Sequence, residues 1–218
     1  ENILHDMMEK SANPTIAPYA RTSECFARVT AKADTPAECE KMLDPVVDEI
    51  LKLLGDDVYG VDVDSLEQVV GDGLRERKLT LAVAESCTGG LLGKLLTDVP
   101  GASAVYLGGI ISYAYAVKER LLGVPHSLLE AQGAVCEPVA RRMAEGARSL
   151  LGADYALSVT GNAGPGADEK NPRVGEIFVA CAGAAGTRCV RLECGGTRAE
   201  NRETACRAAL QLLLEAAQ

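Results

Sequence analysis

The chain has 218 residues, 47% of them hydrophobic, with no Trp and only two Phe. That length suits one or two domains built on an aliphatic, small-residue core. A net charge of −9 argues against a nucleic-acid partner, because phosphate binding needs a basic surface.

The charge is unevenly spread. Residues 1–75 hold 16 acidic and 7 basic residues, whereas residues 76–218 hold 15 of each. The excess therefore sits in the N-terminal piece and reads as a solubilising surface. No apolar run is long enough to span a membrane and no signal peptide is visible, so a soluble, cytoplasmic chain is expected. It starts at Glu1 inside a helical pattern, which reads as a fragment of a longer protein.

In chain order, residues 1–10 read as the tail of a helix, broken by Asn13-Pro14-Thr15. Residues 16–19 and 25–31 read as short strands joined by a turn near Thr22-Ser23. Thr35-Pro36-Ala37-Glu38 predicts a helix start, with Thr35 as N-cap, Pro36 at the first helical position and Glu38 closing a capping box. That helix should run to about Leu54, and a short strand over 58–61 should follow. The result is a small α+β domain over residues 1–64. Ser65-Leu66-Glu67-Gln68 is a second capping box, and it opens a larger domain over 65–218.

In that domain the pattern gives a helix to about Arg77, strand 79–85, helix 89–99, strand 104–113, and helices 116–122 and 136–151. Strand 155–160, a Gly/Pro-rich loop over 161–173, strands 175–182 and 187–193 and helix 199–216 complete it. Alternating strands and helices predict a three-layer α/β/α domain with a mostly parallel sheet. The last strand pair, joined at 183–186, is positioned to add an antiparallel edge.

Ligands bind an open α/β sheet outside the carboxyl ends of its strands. Right-handed crossovers bring those ends to one edge. Ser86 ends the first strand, Tyr113 the second and Thr160-Gly161 the third, so these three tips should share a crevice. The segment Glu85-Ser86-Cys87-Thr88-Gly89-Gly90 joins strand to helix and places a hydroxyl beside unpaired backbone amides. The plainer alternative is that Ser86 or Thr88 only caps the helix.

A serine nucleophile needs a base. His5 lies in the small domain and His126 reads as a surface residue. Lys118, five residues past Tyr113, can serve if burial lowers its pKa; otherwise it is a solvated helix lysine. The loop Thr160-Gly161-Asn162-Ala163-Gly164-Pro165-Gly166 can offer amides to an anion or be an ordinary loop. Arg198 and Arg202 open the last helix and can grip a phosphate or carboxylate, or can pair with neighbours such as Glu203. The eight Cys form no C-x-x-C pair and read as buried free thiols in a reducing compartment. No metal site or cofactor motif is evident.

The run AESCTGG, followed by LTDVPGASAVYLGGIISYAYAVKERLLGV, QGAVCEPVARRMAEGAR, SVTGNAGPGA and GGTRAENR, resembles the C-terminal domain of the CinA family of nicotinamide mononucleotide deamidases. The resemblance covers roughly residues 66–218. Residues 13–64, with NPTIAPYA, RVTAKAD and YGVD, resemble the small KH-type domain that precedes it, here without its opening strands. The resemblance implies hydrolysis of the nucleotide's carboxamide, with Ser86 as nucleophile and Lys118, assisted by Tyr113, as base. It assigns the backbone of Thr88, Gly89 and Gly90 to the oxyanion. It gives Thr160, Gly161, Gly164, Arg198 and Arg202 to substrate binding, with no metal or cofactor. It also implies a homodimer.

This chain departs from the family pattern in places. Ala114, Tyr115 and Ala116 replace Ser, Asn and Glu between Tyr113 and Lys118. Asn162 replaces an apolar residue, Pro172-Arg173-Val174-Gly175 stands for Lys-Pro-Val-Gly, and Thr197 replaces an acid. Two other readings stand beside the amidase: a non-catalytic nucleotide-binding or scaffold module, and nucleotide pyrophosphate hydrolysis. The latter lacks an acidic metal cluster here.

Overall fold

The computed structural model describes residues 3–21 and 24–217. The expected turn near Thr22-Ser23 lies outside them. The chain divides into two compact units, one running to Asp62 and one starting at Val63.

The first unit contains helix α1 (His5–Lys10), strands β1 (Thr15–Arg21) and β2 (Glu24–Thr30), and helix α2 (Pro36–Leu54). The strands pair antiparallel with Ile16 opposite Val29. Leu4, Ile16 and Ile50 form a small core, flanked by Met7, Met8, Val29, Val46 and Leu54. The Thr35–Glu38 capping box forms in both directions. The strand expected over 58–61 does not form. The Val58 amide instead bonds the Gly55 carbonyl at 3.1 Å, closing a 3-10 turn.

The second unit begins with α3 (Leu66–Glu76). The Ser65 hydroxyl accepts the Gln68 amide, but the return half of that capping box is missing. There follow β3 (Leu81–Glu85), α4 (Leu91–Asp98), β4 (Tyr106–Ile111), α5 (Tyr115–Leu122), α6 (His126–Gln132) and α7 (Glu137–Leu151). Strands β5 (Tyr155–Gly161), β6 (Glu176–Gly183) and β7 (Gly186–Glu193) precede the last helix, α8 (Arg198–Ala216). The sheet order is β4-β3-β5-β6-β7.

Strands β4, β3 and β5 are parallel, and β6 and β7 run antiparallel to their neighbours. The sheet is thus mixed: antiparallel pairing already starts at β5/β6. The segment between β5 and β6 carries no crossover helix, so the chain returns directly.

Strand alternation gives the sheet two different faces. Ala82, Ala84 and Ala156 meet Val139, Met143 and Ala147 of α7. Ala180 and Ala182 meet its Ala140 and Ala144. Small residues on both sides let α7 lie close, and the Ser158 hydroxyl donates to the Ala140 carbonyl at 2.6 Å. The opposite face presents buried Leu81, Val83, Leu157, Val159, Ile177 and Val179. On that side the Tyr155 hydroxyl bonds the Ala216 carbonyl of α8, and α3 and α4 pack on α8. Each such buried aliphatic side chain contributes roughly 1.5–3 kcal/mol.

Candidate active site

Parallel pairing of β3 with β4 and β5 brings Ser86, Ser112 and Thr160 to one sheet edge. The Ser86 amide donates to the Val159 carbonyl at 2.9 Å and the Ser112 amide to the Glu85 carbonyl at 2.7 Å. Main-chain bonds therefore set the spacing of the three tips before any side chain is considered.

Lys118 comes from the first turn of α5 and is fully buried. Its Nζ lies 2.9 Å from Ser86 Oγ. It also donates to the carbonyl of Ser112, closely, and to that of Tyr113 at 3.5 Å. Burial pushes the lysine down from 10.5 to about 8, with Cys87 and Asp168 pulling the other way. A neutral amine has two N–H bonds and one lone pair. The two carbonyls can only accept, so they take the two hydrogens. The lone pair is left for the Ser86 O–H.

The elbow between β3 and α4 differs from the expectation. Neither Ser86 nor Thr88 caps the helix. The N-cap is Gly90, with φ 101° and no side chain to contribute. The cap is the carboxylate of Glu85, which is 1% exposed. Its Oε2 accepts the amides of Gly90 at 2.9 Å and Leu92 at 3.1 Å, and Oε1 accepts that of Gly93 at 2.8 Å. Two consequences follow. The amide of Gly90 is spent and is withdrawn from the expected oxyanion donors, leaving those of Thr88 and Gly89. The positive end of α4 is neutralised from within, so it is no anion site.

Tyr113 is 64% exposed. Only its carbonyl reaches Lys118; its hydroxyl accepts from Arg198 Nη2 at 3.5 Å. Arg198 Nη1 donates to the Gly164 carbonyl at 2.7 Å. Arg202 Nη2 donates to the Thr88 carbonyl. Both arginines and Lys118 lie near enough to Cys87 to lower its thiol, but burial dominates and pushes it up to about 11. Thr88 Oγ1 and Arg202 Nε are buried without a hydrogen-bond partner.

Thr160 turns the other way. Its buried hydroxyl donates to the Ala134 carbonyl at 2.8 Å, so it anchors the strand tip instead of facing the crevice. Gly161 is required by close packing, since a Cβ there would lie 2.6 Å from Ile177 Cα. The loop beyond is organised by buried Asn162, a departure from the family pattern. Its Nδ2 donates to the carbonyls of Asn171 at 2.7 Å and Arg173 at 3.0 Å, and its Oδ1 accepts the Asp168 amide at 2.9 Å.

Tyr115 ties this loop to α5. Its hydroxyl donates to Asp168 Oδ2 at 3.0 Å and accepts the Ala134 amide at 3.2 Å. Asn201, 2% exposed, bonds the Ala163 carbonyl and the Gly196 amide. Thr197 caps α8 through a capping box with Glu200. Glu85, Ser112, Tyr115 and Asn201 were not singled out from sequence. For Glu85 the one available signal was an acid at the strand end immediately before a Gly-Gly helix start.

His126 lies on the surface between Glu119 and Glu130, which raise its pKa. Among the described residues, no three of His, Cys, Asp and Glu gather to hold a metal. All eight cysteines are free; Cys87, Cys181 and Cys206 are buried, whereas Cys25 is exposed, against the expectation of general burial. No helix among the described residues is long and apolar enough to cross a membrane.

The CinA C-terminal domain model matches residues 63–217, and the KH domain model of damage-inducible protein CinA matches residues 1–60. The chain belongs to the CinA family. A CinA-like protein of Desulfovibrio desulfuricans is 51% identical over 186 residues, 84% of this chain and 44% of that protein. A CinA-like protein of Gloeothece citriformis is 49% identical over 182 residues, 84% of this chain and 43% of that one. The chain thus spans less than half the length of these relatives.

Among solved structures, a CinA-superfamily competence-damaged protein of Klebsiella pneumoniae aligns with a TM-score of 0.67 at 30% identity. That match covers 70% of this chain and 95% of the other. A competence/damage-inducible protein of Agrobacterium tumefaciens aligns with a TM-score of 0.66 at 32% identity, covering 73% of this chain and all of the other. The second unit carries the CinA-superfamily fold.

Proposed function

We propose that this CinA-family chain hydrolyses the carboxamide of nicotinamide mononucleotide to nicotinic acid mononucleotide and ammonia through Ser86 and Lys118. The observation that carries the reading is the 2.9 Å contact between Lys118 Nζ and Ser86 Oγ in a buried setting. At pH 7 a lysine at about 8 is neutral in roughly a tenth of molecules, about 300 times more often than an unperturbed one. That makes it a usable base.

Neutral Lys118 takes the Ser86 proton as Oγ attacks the amide carbon. The amides of Thr88 and Gly89 receive the developing oxyanion. Lys118 returns the proton to the departing ammonia, leaving an ester on Ser86. Water, deprotonated by the same amine, releases the acid. Arg198 and Arg202 hold the phosphate. The unpartnered Arg202 Nε supports this, as does the neutralised α4 N-terminus, which leaves the arginines as the available cations beside the site. No step needs a metal. By resemblance, the active form is a cytoplasmic homodimer.

Incubation with a panel of pyridine nucleotides should release ammonia and the matching acid in equal amounts from nicotinamide mononucleotide, with or without EDTA. Absence of product from every member of the panel would refute the amidase. Activity lost on chelation and restored by a divalent ion would refute the serine–lysine route.

A further inference from the structure

Glu85 sits where the nucleophile, the helix behind it and the lysine's anchor meet. Its carboxylate holds three amides of α4, and its carbonyl accepts both the Ser112 amide at 2.7 Å and the Ser112 hydroxyl at 3.3 Å. The Ser112 carbonyl in turn accepts from Lys118. Ser86 is the next residue along the chain. Both members of the dyad are therefore tied to one buried side chain and its own backbone.

We propose that Glu85 is a positioning residue for the oxyanion site. By taking the amides of Gly90, Leu92 and Gly93, it fixes the Cys87–Gly90 turn so that the Thr88 and Gly89 amides are left to meet charge formed at Ser86. This rests on the reading of Ser86 as nucleophile. It assigns Glu85 a role distinct from the proton transfer, which belongs to Lys118.

The geometry makes the role sensitive to chemistry as well as shape. A carboxylate offers acceptors on both oxygens, and both are used. A Gln of the same outline must turn its NH2 toward the Gly93 amide or toward those of Gly90 and Leu92, so donors face donors in a buried space. The turn can relieve this only by moving, and Gly89 and Gly90, with φ 59° and 101°, lie within it. The lysine's carbonyl anchor at Ser112 is tied to the Glu85 main chain and not to its side chain, so the lysine keeps its contacts.

The test is the rate at which a fluorophosphonate labels Ser86, followed by mass spectrometry across pH. In that reaction Oγ bonds phosphorus, fluoride leaves, the Ser86 proton goes to Lys118, and the phosphoryl oxygen needs the same amides. Glu85→Gln should label on the order of 100-fold more slowly, with the alkaline-rising limb still centred near the parent's value and the protein still cooperatively folded. A structural cap alone would change melting temperature and leave the labelling rate of folded protein unchanged. That result would overturn the proposal.

If Glu85→Gln does not fold, Glu85→Asp keeps the charge but is one methylene too short to hold all three amides. It should be slowed in the same way, and parent-like labelling of the Asp variant would equally overturn the role. Labelling of the parent that survives Ser86→Ala would instead remove the nucleophile reading, and Glu85's part with it. Equal labelling of parent and Glu85→Gln, both lost on Ser86→Ala, would remove Glu85's part alone.

Discussion

The two halves of the crevice are built by different means. On the inner half, Ser86, Lys118 and Glu85 are held by main-chain groups of β3, β4 and the α4 turn, and Lys118 and Glu85 are sealed from solvent. On the outer half, Tyr113 and Arg198 are exposed and meet through a 3.5 Å contact. The difference separates tasks. Buried main-chain anchors fix proton transfer to a fraction of an ångström, which chemistry requires. Long arginine side chains can adapt to a ligand's anion, which binding tolerates.

If the halves divide in this way, substitutions should divide too. Ser86→Ala and Lys118→Ala should each reduce kcat by on the order of 10³-fold or more while leaving KM within a few-fold. Lys118→Arg should be as inactive, because guanidinium keeps its proton throughout the working range. Steady-state kinetics on the three variants check this. Parent-like turnover in Lys118→Arg would make the residue an electrostatic contact and not a base.

The parent's kcat/KM should rise with pH through a single group near 8, where burial sets Lys118, and level off above it. A limb near the free-lysine value would mean that the inner half is wetter than described.

Outer-half changes should be smaller and should appear in binding. Arg202→Ala should raise KM roughly 10–100-fold, with some loss of kcat, because Arg202 also braces the Thr88 carbonyl. Arg198→Ala should raise KM roughly 10-fold with kcat nearly unchanged, since its partners are the Gly164 carbonyl and the Tyr113 hydroxyl. A kcat loss for Arg198→Ala as large as that for Lys118→Ala would erase the division.

The smallest effect is on stability. Lys118 is protonated in the unfolded chain up to about 10.5 but only up to about 8 when folded. Between those values the unfolded state binds more protons, so parent stability should rise with pH relative to Lys118→Met. The difference in unfolding free energy between the two should shift toward the parent by up to about 3 kcal/mol from pH 7 to pH 10.5. Parallel urea titrations at both pH values measure it, and a constant difference would mean that the lysine titrates alike in both states.

Much of this was legible before the fold was known. Apolar periodicity placed the strands and helices of the second unit within a few residues, except α6 (His126–Gln132), a seven-residue helix too short to show a periodic pattern. The capping boxes at Thr35 and Thr197 are local chemistry, and Thr35 was read directly from its neighbours. Parallel pairing and the right-handed crossover rule put Ser86, Tyr113 and Thr160 at one edge. These depend only on neighbours in sequence and on general chain geometry.

What the sequence could not decide is the direction in which each tip residue faces and what it meets. Thr160 follows the parity of β5 onto the α7 side and bonds Ala134, whereas its neighbours in the loop turn toward Arg198. The helix cap passed from Ser86 or Thr88 to Glu85 because a longer side chain at the strand end reaches three amides at once. The strand expected at 58–61 does not form; pairing is a tertiary choice, and here the Val58 amide closes a 3-10 turn on the Gly55 carbonyl instead. Lys118 became a base candidate on geometric grounds only when α5 buried it beside Ser86, which lies at the end of a strand far back in the chain. Local sequence determines which groups are available. Burial and hydrogen-bond partners arise from segments far apart in the chain, so only the tertiary structure decides what those groups can do.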